Sequence, residues 1–459
     1  MGGHAEHPQP TFERTLCEYI ATSLDRPLPV EVDERAKLHI LDTLAAIVSG
    51  SRLLPGQHAI SYVASQGGTP EALVMGSSIM TSAVNAALAN GMSAHADETD
   101  DSSAAGAMHP GCIVLPASFA AAQKWKRSGR DLMRSTALGY DLAVRFALAL
   151  GAYKFHNAGH AVPGFCGVFA AAGAAAALAG LDVRRTGAAL SYAAQQASGL
   201  SSWRRDADHI EKAFVFGGMP ARNGAAAVTM VASGMTGVVD VFSGKPNFLG
   251  TFSVVGAEPA SLIEGLGTDF QIARTTIKKW CVGSPVQPAL DAVEALMPQG
   301  LRAANLKRLR IHLPTTALTI VDKTTMPDLN IRNLVGALLA NGRLTFDMIH
   351  DHAQLMHPDV LAIAARIDVI GSEELEALRP QRQAIVEADL TDGRVLQKRV
   401  YSVRGTIENP MEGSEVRAKA LDLLGPVLSH ARATQLIEIV DRLESQPSLD
   451  ALADLLCVR

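Results

Sequence analysis

Apolar residues recur at helical spacing through most of the first 270 positions. In LPVEVDERAKLHILDTLAAIVSG they return every three or four residues and the run stops at Gly50, which predicts one long helix. GRDLMRSTALGYDLAVRFALALG and VFAAAGAAAALAGLD carry similar patterns and predict two more. After about Lys278 the period shortens. LKRLRIHLP alternates from Leu306 to Leu313, and AIVEADLTDGRVLQKRVYSV reads as a hairpin turning at Asp392-Gly393. Between them, IRNLVGALLANG and VLAIAARIDVI read as helix followed by short strand. The tail segments VRAKALDLLGPVL and ATQLIEIVDRLESQ return to amphipathic helix. The expected fold class is mainly α with an α+β second domain. A helical domain spans 1–270, an α+β unit spans 271–404, and C-terminal helices over 405–459 rejoin the first domain, making the α+β unit an insertion.

Composition narrows the class. Of 459 residues, 48% are hydrophobic and 19% charged, and the Ala-rich runs indicate closely packed helices of a globular protein. AVPGFCGVFAAAGAAAALAGL approaches the length of a membrane span, but its Pro, its Gly and its Ala content read as a buried helix. The start, MGGHAEHPQP, lacks a charged region followed by an apolar one, so a cytoplasmic location without membrane attachment is expected. His4 and His7 in it are read as part of a frayed terminus rather than as metal ligands. A net charge of −5 with scattered basic residues argues against nucleic acid as a partner. The five cysteines form no C-x-x-C pair, which excludes a zinc ribbon and a Cys-ligated iron–sulfur cluster and leaves reduced thiols. Walker, G-x-S-x-G and G-x-G-x-x-G signatures are missing from strand-to-helix junctions, so nucleotide and serine-hydrolase chemistry lose their main support.

One segment breaks the apolar pattern. NGMSAHADETDDSSAAGAMHPGCIVLP gathers His95, Asp97, Glu98, Asp100, Asp101, Ser102, Ser103 and His109 between flanks that read as buried helix. Polar groups so placed must be paired or used. An EF-hand reading fails: with Asp97 in first position, Ser102 stands where the loop needs Gly and Met108 where it needs Glu.

These residues carry a resemblance. ILDTLAAIVSG, NGMSAHADETDD followed by HPG, GYDLAVRF, GHAVPGFCGVFAAAGAAAALAGLD, KAFVFGGMPARNGAAA, GMTGVVDVFSG and IKKWCVG stand in one order from Ile40 to Gly283. Together they resemble the MmgE/PrpD family, which includes 2-methylcitrate dehydratase, cis-aconitate decarboxylase and iminodisuccinate epimerase. The resemblance implies a large all-helical domain, a smaller α+β lid, a homodimer and catalysis with neither cofactor nor metal. It also implies site residues. The family motif H-x-x-D-F-D-D-T leading to a His-Pro is matched by His95, Glu98 in place of Asp, Asp100, Asp101, Ser102 in place of Thr, and His109-Pro110 after one extra residue. A second family histidine matches His160, with His156 as the fallback, and two family lysines match Lys212 and Lys278. Where some decarboxylases carry a histidine five residues after the second lysine, this chain has Gly283; Val215 stands where many relatives have His. The resemblance thus makes His109, His160, Lys212, Lys278 and Glu98 the catalytic candidates and places Ser102, Asp101 and Arg222 at the substrate.

The chemistry accounts for these residue types. Removing a proton beside a carboxylate concentrates negative charge, and a histidine base with fixed ammonium groups nearby lowers that barrier. A carboxylate orients the histidine and sets its proton state. Arg204, Arg205 and Arg222 are candidate carboxylate clamps by their guanidinium geometry, with ordinary surface pairing as the alternative. The reaction expected is elimination of water from a small hydroxy-polycarboxylate. Epimerisation or decarboxylation of a small di- or tricarboxylate is the neighbouring alternative, and non-catalytic carboxylate binding is the alternative of another class.

Overall fold

The computed structural model describes residues 11–238, 240–254 and 256–458, so His4 and His7 lie outside the described residues. The chain divides into two compact units. The first comprises Met1–Ala96, Asp100–Thr275 and Leu423–Arg459; the second comprises Asp97–Thr99 and Thr276–Asp422. The unit bounds differ from those read along the chain, where the α+β unit spans 271–404. The second unit continues past 404 to Asp422, and it takes in three residues from the polar segment.

The first unit is a helical assembly. Helix α1 (Val30–Gly50) begins behind Pro29 with Glu31 and Asp33 in its first turn, and its last ten residues are all buried. Acidic groups there oppose the positive end of the helix dipole. Helix α2 (Ala83–Ala94) is capped by the Ser82 hydroxyl, which accepts from the Asn85 N–H, and ends at His95. Helix α3 (Gly111–Lys124) follows the polar segment, and α4 (Gly129–Leu150) opens on a Ser128/Asp131 capping box and closes at Gly151 in the left-handed region. Helix α5 (Val162–Ala179) has the length and apolarity of a membrane span, yet 94% of it is buried inside the protein. Its alanines let α4 and α6 (Met219–Ala232) approach closely. Phe169 on α5 stacks on Phe146 of α4 with ring centroids 4.2 Å apart, and both rings are fully buried. Each such ring contributes about 1.5–3 kcal/mol by leaving water.

The second unit is α+β. Its sheet has strands β1 (Leu306–Pro314), β2 (Ile367–Ser372), β3 (Ala384–Leu390) and β4 (Val395–Val400), in the order β2-β1-β3-β4. The β1–β2 pair is parallel, and the chain between them forms helices that include Ile331–Asn341 and Pro358–Ala364. The other pairs are antiparallel, and the β3–β4 hairpin turns through Gly393 at φ 89°, as Asp392-Gly393 predicts.

Candidate active site

The polar segment leaves α2 at His95 and enters α3 through His109-Pro110, and within the first unit its side chains form two histidine–carboxylate sets. Asp100 is fully buried and serves two imidazoles: His95 Nδ1 lies 2.9 Å from one oxygen and His109 Nδ1 3.0 Å from the other. Burial alone would raise this carboxyl, but the charges and hydrogen bonds of His109 and His95 overcome it and hold Asp100 well below the usual carboxylate range. A permanent carboxylate is an acceptor only, so each Nδ1 carries a proton toward it. That leaves the Nε2 atoms for proton transfer. Among the described residues, the buried His95 Nε2 has no hydrogen-bond partner, whereas the His109 side chain keeps 14% of its surface exposed.

Asp101 anchors the second set. One oxygen lies 2.7 Å from His39 Nδ1 and accepts the Tyr140 hydroxyl; the other accepts the Gly111 N–H at 3.0 Å. Burial, then the adjacent Asp101 charge, push the Tyr140 phenol well above its usual range and keep it a donor. Asp101 therefore fixes the start of α3, directly after His109-Pro110.

An aromatic floor closes the arrangement. Phe216 sits in a π-helical turn, Phe214–Gly218, immediately before α6. Such turns widen a helix locally and recur at functional sites. Here the turn presses Gly217 onto Gly91 of α2: a Cβ at Gly217 would lie 2.0 Å from the Gly91 carbonyl oxygen. The Phe216 ring thereby stacks on His95, with centroids 4.6 Å apart and planes 3° apart, and meets His109 edge-on at 5.6 Å. Lys212 Nζ stands 5.3 Å from the same ring's centroid and equally far from that of Trp203. His209, buried and in the left-handed region at φ 61°, brings its ring 5.3 Å from that of His95.

The chain matches the MmgE/PrpD N-terminal domain over residues 14–257 and the MmgE/PrpD C-terminal domain over residues 280–445. It belongs to the MmgE/PrpD family. Among its relatives, a cis-aconitate decarboxylase-like protein, oryM, of Aspergillus oryzae (strain ATCC 42149 / RIB 40) is 24% identical, covering 98% of each chain. A cis-aconitate decarboxylase of Aspergillus terreus is 25% identical over 96% of this chain and 95% of its own.

For this MmgE/PrpD chain the structure sorts the residues expected from sequence. His109 and Lys212 join His95, Asp100 and Phe216. Asp101, expected at the substrate, is fully buried, and both its oxygens are engaged where α3 begins. Ser102 is half-buried beside it. His160 is not brought to Asp100: its ring lies 4.2 Å from Phe155 and 5.3 Å from Phe165. His156 pairs with Arg204, and burial lowers its pKa. Arg222 packs on Phe214 and bonds the Asn223 side chain, lining an open cavity of about 610 Å³ with His58, Tyr62, Met92 and Glu211.

Glu98 and Lys278 belong to the second unit, where they meet each other. The buried Lys278 ammonium donates to the Glu98 carbonyl at 2.6 Å and lies 3.6 Å from its carboxylate. Lys419 Nζ donates to the Thr99 carbonyl at 3.0 Å. Asp97 accepts from the Thr99 N–H and hydroxyl and lies 3.2 Å from His350 Nε2. His350 Nδ1 faces the Phe346 carbonyl, so both its nitrogens meet acceptors, an arrangement that favours the protonated ring. Burial works against that charge, but Asp97 outweighs it and the His350 pKa is raised.

Sequence reasoning missed His39, Tyr140, His209 and His350 as partners. His39 and Tyr140 adjoin or lie in family-like stretches, KLHILDT and GYDLAVRF, and His209 stands three residues before Lys212. Those positions were the available signal.

Proposed function

We propose that this protein is a lyase for a small di- or tricarboxylate, removing a proton next to a carboxylate and expelling water from the neighbouring carbon. The observation that carries the reading is Asp100, a buried carboxylate shared by His95 and His109. His109 directs its Nδ1 proton to Asp100 and takes the substrate proton at Nε2. Lys212 supplies fixed positive charge for the developing enediolate, and Lys278 holds the Glu98 backbone. The full-length relatives named as cis-aconitate decarboxylases support a lyase acting on small polycarboxylates.

Decarboxylation is the second reading, drawn from those names. Position 283 weighs against it. A Cβ on Gly283 would lie 2.2 Å from Leu329 Cδ2, so the histidine that some decarboxylases carry there is missing and its space is filled. By resemblance to the family we propose a homodimer with no required cofactor.

A panel of hydroxy-di- and tricarboxylates that includes 2-methylcitrate, with the unsaturated tricarboxylate cis-aconitate beside them, tests the reading in deuterated water. Elimination gives an alkene seen by ultraviolet absorbance; decarboxylation releases carbon dioxide; epimerisation places deuterium in a product of unchanged constitution. His109→Ala is expected to lower turnover by at least about 10²-fold. Unchanged turnover would remove His109 from the chemistry, and binding without any turnover would make the protein a carboxylate-binding one.

A further inference from the structure

We propose that Tyr140 and His39 are positioning residues for His109: by fixing the direction of the Asp101 carboxylate they set where the His109 imidazole meets Asp100. The importance given to His109 rests on the lyase reading above. His109 stands between two closures of one loop. Toward the tip, Ser103 and Met108 exchange backbone hydrogen bonds at 2.8 and 3.3 Å. At the base, Asp101 Oδ1 accepts the Gly111 N–H at 3.0 Å. The residues between, SSAAGAMHP, are mostly small, and Ala104 and Ala105 are exposed, so side-chain packing holds the loop weakly. The tip closure joins the loop to itself. The base closure ties it to two helices.

Pro110, the residue before α3, makes no side-chain cap, and the Gly111 N–H is one of the donors that a helix start leaves without an intrahelical acceptor. Asp101 meets that need while its carboxylate is held in one direction. His39 Nδ1, from α1, lies 2.7 Å from the other oxygen, and Tyr140, from α4, donates its hydroxyl to that same oxygen. The two rings meet edge-on with centroids 5.2 Å apart, and His39, Asp101 and Tyr140 are all fully buried. Gly111 packs directly on this set: a Cβ there would lie 2.6 Å from Thr43 Oγ1, 2.8 Å from the Tyr140 hydroxyl oxygen and 2.9 Å from Asp101 Oδ1. Apolar groups of similar volume would serve stability as well as a buried polar set does; what the polar set adds is a single geometry. Asp100 adjoins Asp101 in the chain, and His109 is two residues before Gly111. One clamp therefore sets both partners of the 3.0 Å contact between Asp100 and His109 Nδ1. A misplacement of about 1 Å at a reacting group lowers a rate by about 10²-fold. Tyr140 and His39 exchange no proton with substrate in this scheme; their part is positional.

Tyr140→Phe keeps the ring and removes one donor to Asp101. We expect kcat to fall by about 10- to 100-fold with KM within about threefold of wild type. In a His109→Ala background the same substitution is expected to cost no further turnover, because nothing is left to position. His39→Leu withdraws the other donor to the same oxygen and is expected to behave alike; it carries the test if Tyr140→Phe does not fold, as judged by circular dichroism. Histidine NMR on the 15N-labelled full chain gives a readout that needs no turnover: the His109 Nδ1–H resonance, assigned by its loss in His109→Ala, shifts or broadens in either variant. An equal loss of turnover in both His109 backgrounds, or a His109 resonance unmoved in the folded variants, would overturn the inference. Loss of fold in both variants would assign the set to stability and overturn it as well. A wild type that converts no carboxylate removes the lyase reading, while the resonance still decides whether Tyr140 and His39 position His109.

Discussion

Asp100 is the residue on which the candidate site turns. Its two oxygens meet two Nδ1–H donors, an arrangement an amide cannot reproduce, since one of its two terminal atoms is itself a donor. Asp100→Asn must therefore force one histidine into the other tautomer or leave two donors face to face. We expect a turnover loss of about 10²–10⁴-fold with folding retained, measured on whichever carboxylate the wild type converts. A loss below about tenfold would show that the chemistry does not run through this pair. Asp101 differs by one position and has a different task, because His39, Tyr140 and the Gly111 N–H already occupy its oxygens. The sequence displays both aspartates, but only the folded loop assigns one to the histidine pair and the other to the helix entry.

Among the elements, the π-helical turn at Phe214–Gly218 positions the most. It seats Phe216 on His95 by letting two glycine backbones touch, so a methyl group has nowhere to go. Gly217→Ala should lower stability by about 1–3 kcal/mol, read as the shift in urea midpoint, and should reduce turnover by tilting the aromatic floor. A midpoint equal to wild type would mean that α2 and the turn can separate freely. Much of the element level was legible beforehand. Apolar period located Val30–Gly50 and Gly129–Leu150, since burial of one face writes that period into the chain, and the Asp392-Gly393 turn located the β3–β4 hairpin. The π turn was not legible, because KAFVFGG carries no period of its own. The left-handed backbone of His209 was equally invisible, since tertiary contacts rather than local propensity hold it. His109, Lys212 and His160 all stand in family-like motifs that the sequence displays, but only the fold shows that the His160 ring lies beside Phe155 and Phe165.

For the whole molecule, buried ionisable groups set how stability follows pH. Burial pushes Glu13 and Asp141 up to about 7. The folded chain then binds protons more tightly than the unfolded chain, and stability falls as pH rises from about 4 to about 7. His350, raised by Asp97, acts in the same direction: its contribution is complete below the unfolded value of about 6.5 and is lost as pH rises through the folded one. Asp97 and Asp100, both lowered, contribute above the ordinary carboxylate range and lose that contribution as pH falls through their folded values. Melting temperature should therefore peak near about pH 4 and decline toward about pH 8, and Glu13→Gln should flatten the decline. A flat profile in the wild type would contradict the burial of these groups.

The assignment of Asp97–Thr99 to the second unit also governs how the gene can be cut. A fragment spanning 276–422 is contiguous, but it lacks the three residues that receive Lys278, His350 and Lys419. Expressed alone, it would carry three buried cations without their acceptors, and the complementary piece could not be made without interrupting the polar segment twice. A fragment meant to hold the α+β unit intact therefore has to bring Asp97–Thr99 along with residues 276–422.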